Sequence, residues 1–357
     1  MTLMADRPPS SPVQAQPDEP TIVIDLDAPP PLPLARGPLT ERLLDHLTRP
    51  VHALAPLPEA KDDPLEGDDS ALALHLCYEL HYQGLPDVDE AWEWEPTLLR
   101  ERRRLEVRLE HRIRDLTGPV PIGLSPAAAA GALRELSEDD GSPSLSSRVA
   151  QRGTLAEVRE LAIHRSDYQL KEADPHTWAI PRLRGRAKAA LVDIQTGEYG
   201  GGRPADVHAS LFARTLRALG LDDRYGAYID RIPGVTLSTC NLMSLFGLHR
   251  AWRGALVGHL ALFEMCSIGP MRRYGDALRR LGFGPEATRF YDEHVIADER
   301  HRVVALDEMV AGLLEDEPEL AGEVVHGAQA LSAVERSFAG HVLSAWDAGT
   351  SSLRPPA

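Results

Sequence analysis

The amino-acid sequence predicts an all-α fold, and three observations carry that expectation. Ala, Leu, Arg and Glu dominate the chain while aromatics make up only 5%, a balance that favours helices. Apolar residues recur at spacings of three and four in one segment after another. No run of strands alternates with helices, and the phosphate-cradling patterns Gly-x-Gly-x-x-Gly and Gly-x4-Gly-Lys-Thr are absent, which excludes most nucleotide-dependent folds.

Taken in order, the elements begin after residues 1–35, a Pro-, Ser- and Asp-rich segment expected to be disordered or extended over the surface. Its short apolar run, Ile22-Val23-Ile24 with Leu26, can dock on the body but is too little for a domain. Helices are expected at Leu39 to Leu47, at Ser70 to Tyr82 with Ser70 as a cap, and at Pro96 to Leu116, opened by proline after Glu95. Gly84-Leu85-Pro86-Asp87 is a turn between them. Gly118-Pro119 breaks the chain before a short Ala-rich helix, and Glu138 to Ser144 reads as a solvated loop. Helical periodicity then runs from Leu145 to Lys171 and again from about His176 to Thr196. Gly197, Gly200, Gly201, Gly202 and Pro204 interrupt it, and a helix resumes over Ala205 to Leu219. Further helices are expected at Arg224 to Arg231, Val235 to Phe246, Arg250 to Ser267, Pro270 to Leu281, Pro285 to Leu313 and Glu319 to Trp346.

Composition limits the setting. A chain of 357 residues can bury a substantial core as one large domain or two smaller ones. A formal net charge of -16 argues against nucleic acid or an anionic membrane as the main partner, and part of that acid can be carboxylate gathered to hold cations. Cys77, Cys240 and Cys266 are too few and too scattered for a disulfide framework or a thiolate zinc site; Cys266, in an apolar run, reads as a small core residue. No charged, apolar leader opens the chain and no apolar stretch approaches about 20 residues, so a cytoplasmic protein is expected.

The chemistry is concentrated in Phe290 to His301. On a helix, His294, Asp298 and His301 fall within a sector of roughly 60°, the way one helix offers several ligands to one metal centre. Two imidazoles and a carboxylate suit iron, manganese or zinc better than calcium. The competing reading is a polar surface stripe among Glu293, Glu299 and Arg300. Glu198 and His208 would point about 80° apart on an ideal helix, but the glycines between them can turn both toward one centre, or simply make a connector. Glu264 lies in an apolar segment, where a carboxylate needs a metal or a cationic partner such as arginine. Glu172, near a helix end, reads alone as a surface or capping residue. His164 shares a helix face with Glu160 and is explained by an exposed polar pair.

As an ordered set, Glu172, Glu198-x9-His208, Glu264 and His294-x3-Asp298-x2-His301 resemble the ligand series of the haem-oxygenase-like diiron oxidases and oxygenases, the iron-containing redox enzymes. The resemblance spans about Leu145 to Leu313, and Tyr78-Glu79-Leu80-His81-Tyr82 and Glu93-Trp94-Glu95-Pro96 also look like segments of that family. It implies a haem-oxygenase-like multi-helical bundle with additional N-terminal helices. Residues 36–143 would be an N-terminal helical region packed on the core, 144–347 the diiron catalytic core, and 348–357 a flexible tail. It further implies two iron ions held by protein rather than haem, O2 as co-substrate, and an external electron source, a reductase or a chemical reductant; a homodimer is left open.

All seven positions of the ligand series are filled, and the extra carboxylate of Glu264 makes the pattern most similar to the N-oxygenase members. Glu198 and Glu264 are then the catalytic carboxylates, Glu198 as a bridge between the metals and Glu264 as a ligand gained or strengthened on oxidation. The implied reaction takes a small amine to a hydroxylamine, nitroso or nitro product. The alternative is oxidative desaturation or carbon-carbon cleavage of a small amino or fatty acid; hydrolysis and metal storage rank below it. Tyr168, Tyr199 and Tyr291 are candidates for the substrate pocket, though each can simply pack or bond to backbone. Arg203 can meet an acidic substrate group or a surface carboxylate.

Overall fold

Prolines and polar caps cut this chain into helices. Pro38, Pro96, Pro126 and Pro285 each occupy a first helical turn, where a missing N–H costs nothing. The Glu95 carboxylate accepts from the Leu98 N–H at 2.6 Å, and Ser125 caps Ala128 at 3.2 Å. The structure, a computed structural model, describes residues 32–138 and 144–356, and among these every regular element is helical. The expectations for residues 1–31, including the run near Ile22, and for 139–143 lie outside the described residues.

In chain order the α-helices are α1 (Pro38–Leu47), α2 (Asp68–Glu79), α3 (Pro96–Thr117), α4 (Pro126–Ser137), α5 (Leu145–Arg152), α6 (Leu155–Gln169), α7 (Asp174–Thr177), α8 (Gly185–Glu198), α9 (His208–Ala218), α10 (Gly234–Leu248), α11 (Arg253–Cys266), α12 (Ile268–Arg280), α13 (Pro285–Val303), α14 (Ala311–Asp316) and α15 (Ala321–Asp347). The chain is thus an all-α multi-helical bundle with extra N-terminal helices, as the sequence predicts. No single helix among the described residues is long and apolar enough to cross a membrane.

At the centre α11 lies against α15. Contact is so close that a Cβ on Gly258 would fall 1.8 Å from the Val324 carbonyl oxygen, and one on Gly327 1.9 Å from that of Ala255. Helix α10, buried from Gly234 to Gly247, packs on both, and the N-terminal helices close over this centre, α2 on α10 and α3 on α15. On another side α13 is held by α9, α11 and α12, while α8 packs on residues 304–310.

Several boundaries differ from expectation. The single helix over Leu145 to Lys171 is two, divided at Gly153, because Thr154 and Glu157 form a reciprocal cap in which each side chain receives the other's backbone N–H. The helix over His176 to Thr196 is also two: Pro181 interrupts it, and Arg182 leaves the axis to bond to the Gly247 and Leu248 carbonyls at the end of α10. Residues 224–231 form turns, with Gly226 at φ +79°. Residues 304–310 adopt a π-helix inside the expected Pro285 to Leu313 helix. Within the segment expected as a tail, Ser352 is buried against His164 and Glu160, and the Arg354 N–H donates to the Arg231 carbonyl at 2.8 Å.

Candidate metal centre

Four structural units bring seven side chains to one buried place. Helix α13 supplies His294, Asp298 and His301, all buried while Glu299 and Arg300 beside them are exposed, so these three are not a surface stripe. Glu198 ends α8 and His208 opens α9. Between them Gly200, at φ +62°, lets the chain turn back so tightly that a Cβ would lie 2.4 Å from the Asp206 carbonyl carbon. This reversal sets His208 Nδ1 2.7 Å from Glu198 Oε2. Glu264, near the end of α11, meets His301 at 3.4 Å, where an arginine was the competing expectation. Glu172 stands in the turn between α6 and α7, buried rather than on the surface, and is followed by Ala173 in the left-handed region at φ +76°.

The seven fall into two groups, each able to hold a metal ion: Glu172, Glu198, His208 and His294 in one, and Glu198, Glu264, Asp298 and His301 in the other. Within each group the donor atoms lie within 4.8 Å of one another, and Glu198 belongs to both. Its Oε2 faces His208 while its Oε1 lies 3.5 Å from His301 Nδ1.

Orientation is fixed from behind. The Nδ1–H of His294 donates to the Phe290 carbonyl at 2.8 Å, which leaves Nε2, 3.4 Å from Glu172 Oε2, as the nitrogen a metal could take. The Ser267 hydroxyl, 2.5 Å from Asp298 Oδ2, holds that carboxylate. Gly197 allows the His301 ring to lie against α8, since a Cβ there would come within 2.8 Å of ring atoms Cε1 and Nε2.

Burial and charge pull these groups apart. Burial disfavours the Glu198 carboxylate, but His208, His294 and His301 outweigh it and hold the group at about 2. Glu264 is pushed up to about 8 by burial, with Glu198 and Asp298 adding to the rise against His301. Burial opposes protonation of His301, yet Asp298 and Glu264 raise it to about 10; Glu172 raises His294 in the same way. Four carboxylates buried together demand positive charge.

The donors fit metal ions. Glu172 Oε2 and His301 Nδ1 are buried without a hydrogen-bond partner, and His208 Nδ1 faces His294 Nε2 at 3.2 Å. A cation satisfies such converging lone pairs, and three imidazoles with four carboxylates are suitable ligands for iron.

A cavity of about 30 Å³ lies among these groups, room for little more than one or two water-sized molecules. Tyr168, Phe263, Ser267 and Met271 divide it from a second cavity of about 310 Å³. Tyr168 lines both and Tyr291 the larger. Tyr199 is a structural strut, its hydroxyl bonded to Asp174 Oδ1 at 2.8 Å and to Thr177 at 2.9 Å. Arg203 pairs with Asp206 on the surface. Two other expectations are corrected. His164 is buried, bonded to Thr236 and Ser352, because the C-terminal segment covers it; Cys266 is exposed and lines the larger cavity.

Sequence reasoning missed Ser267, Gly197 and His176, which lines the smaller cavity and contacts His259 at 3.1 Å. Burial pushes His176 down to about 4. Only the glycine beside Glu198 carried a sequence signal, and that signal pointed to a break rather than to close packing.

A sequence profile describing iron-containing redox enzymes matches residues 159–336, a range that holds all seven side chains. Over 159 residues the chain is 26% identical to nitrosourea synthase of Streptomyces achromogenes subsp. streptozoticus, covering 44% of this chain and 34% of that protein. The match therefore spans about a third of the relative's length.

Proposed function

We propose that this chain, which belongs to the iron-containing redox enzymes, is a non-haem diiron N-oxygenase that uses O2 to oxidise the amine nitrogen of a small metabolite. The observation that carries the reading is Glu198, common to two groups of buried donors that together hold three histidines and four carboxylates. Two iron ions held by those seven residues would supply the oxidising power for O2 chemistry. Four carboxylates balance the four positive charges of two Fe(II) ions, so the filled centre is close to neutral.

The protein's own part is to hold, orient and enclose. His294 is fixed by Phe290, and Asp298 by Ser267. The small volume among the donors leaves no room for a metabolite, so the substrate approaches from the larger cavity across Tyr168 and Phe263. The first oxidation balances as R–NH2 + O2 + 2 e⁻ + 2 H⁺ → R–NHOH + H2O, the electrons coming from an external reductant; further turns give the nitroso and nitro levels. Nitrogen rather than carbon is supported by the seventh donor, Glu264, which makes the ligand set resemble that of the N-oxygenase members, and by the similarity to a protein named for making nitrosoureas. Residues 144–347 would form the catalytic core.

The test is product analysis with iron-loaded protein, a reductant and a panel of amines under ¹⁸O2. Label in a new nitrogen–oxygen bond is expected. Alkene or aldehyde formation without labelled nitrogen would instead establish the desaturase or lyase alternative, and turnover without oxygen would end both readings.

A further inference from the structure

The larger cavity has a chemical character that selects among amines. Among the described residues its only charged lining side chains are Arg165 and Glu335, and they neutralise one another through two parallel contacts of 3.0 and 2.6 Å. What the cavity leaves unpaired is neutral. Gln169, 5% exposed, has its Oε1 buried without a hydrogen-bond partner, and the hydroxyls of Tyr168, Tyr274 and Tyr291 form no hydrogen bond among the described residues. Aromatic faces line it in pairs: Tyr168 with Phe263 at 5.5 Å between ring centroids, and Tyr274 with Tyr291 at 5.9 Å.

We propose that this cavity binds a neutral aromatic amine and rejects amino-acid zwitterions and alkylammonium ions. The inference rests on the N-oxygenase reading for the amine; the neutrality and the aromatic body come from the cavity. A charged group seated among these side chains would give up part of its hydration without finding an unpaired countercharge among the described residues. An arylamine carries no such cost, because conjugation with the ring keeps its nitrogen unprotonated at neutral pH. That same unprotonated lone pair is what transfer of an electrophilic oxygen requires. Aromatic walls favour a flat ring, and donors and acceptors of Gln169 and the tyrosines suit an NH2 group. A volume of about 310 Å³ admits one substituted ring.

The experiment measures binding to zinc-loaded protein by calorimetry, with two isomeric probes, 4-ethylaniline and 4-methylbenzylamine. At pH 7.5 the aniline is expected to bind more tightly than the benzylammonium ion by at least about tenfold. Arg165→Gln frees the Glu335 carboxylate and should narrow or reverse that preference. Glu335→Gln frees the guanidinium and should create affinity for 4-ethylbenzoate, a change that a purely structural ion pair would not produce. Ala162→Phe, which fills the cavity, should abolish aniline binding. Equal or tighter binding of the benzylammonium ion to the unaltered protein would overturn the proposal, as would oxygenation of a guanidine by iron-loaded protein that binds no aniline, an outcome that spares the N-oxygenase reading. Conversely, aniline binding as expected with no N-oxygenated product from iron-loaded protein would uphold the cavity assignment and remove the reaction.

Discussion

Gly197→Ala separates the two halves of the proposed centre. The added methyl would stand 2.8 Å from Cε1 and Nε2 of His301. Reaching an ordinary carbon contact of about 3.4 Å requires the ring to retreat by about 0.6 Å. Metal–ligand distances tolerate only about 0.2 Å, so His301 leaves its position in the group with Glu198, Glu264 and Asp298. Glu172, Glu198, His208 and His294 are untouched. We expect one iron equivalent to bind as in the unaltered protein and the other to weaken by at least about 100-fold, or about 2.7 kcal/mol. Stability of the metal-free chain should move the other way. An imidazole tip can rotate aside cheaply, and replacing glycine by alanine within a helix stabilises by up to about 1 kcal/mol. The assay is an anaerobic Fe(II) titration by calorimetry beside thermal melting of the metal-free protein. Two equivalents of unaltered affinity would refute the reasoning, and so would a large fall in melting temperature with metal binding intact.

Glu198→Gln should weaken both iron equivalents, since Glu198 is common to both groups, whereas Glu264→Gln should weaken one; equal effects in the same titration would remove the shared role of Glu198. Tyr199→Phe cuts the bonds to Asp174 and Thr177 and should lower metal affinity by roughly tenfold through the turns that carry Glu172 and Glu198, while leaving probe binding in the larger cavity unchanged. Burial holds His164 at about 3 and His326 at about 4, below the ordinary value near 6.5, so the unfolded chain takes up protons that the folded chain refuses. Stability from these two is full above about pH 6.5 and falls toward pH 4 by up to about 1.4 kcal/mol per pH unit for each; His164→Asn should flatten the urea-melt slope by one histidine's share, and an unchanged slope would contradict this. Lys171→Met leaves Glu79 buried without its ammonium partner, with a hydrogen bond from the Tyr225 hydroxyl at 2.6 Å, and should cost about 3–5 kcal/mol in urea unfolding, partly recovered in Lys171→Met/Glu79→Leu. A loss below about 1 kcal/mol would show that the pair contributes little.

Periodicity made the helices legible, because each buries one face, and that face repeats in the sequence. It did not reveal where a helix gives way to a competing local bond. Thr154 and Glu157 carry a capping signature three residues apart, readable in retrospect, but the departure of Arg182 toward the end of α10 depends on a partner 65 residues away. The site divides in the same way. His294, Asp298 and His301 share one helix face, so local spacing proposes them together. Glu172 and Glu264 meet the others only through packing, and the ordered resemblance, not local geometry, drew them in. The roles of Gly197 and Ser267 were not legible because they lie across helix contacts, α8 to α13 and the end of α11 to α13.

The division between regular and irregular backbone bears on how the proposed centre would accommodate metal ions. His294 and Asp298 project from a continuous helix wedged among three neighbours, so moving either would repack α13 against α9, α11 and α12. Glu198 stands at the last turn of α8 before a glycine-rich reversal, and Glu172 precedes a non-glycine residue held in the left-handed region. These two carboxylates can shift at lower cost, because fewer packed side chains move with them. His301 lies between the two cases, one turn before the π-helix at Val304–Val310, where the regular hydrogen-bond ladder is already interrupted. The proposed centre, if its charge changes during turnover, would draw on both kinds of support: fixed imidazoles to keep ions in place, and carboxylates on yielding backbone to follow the charge. Tyr199 ties the turns of these two carboxylates together through Asp174 and Thr177 although no helix joins them, which is why Tyr199→Phe is expected to affect both.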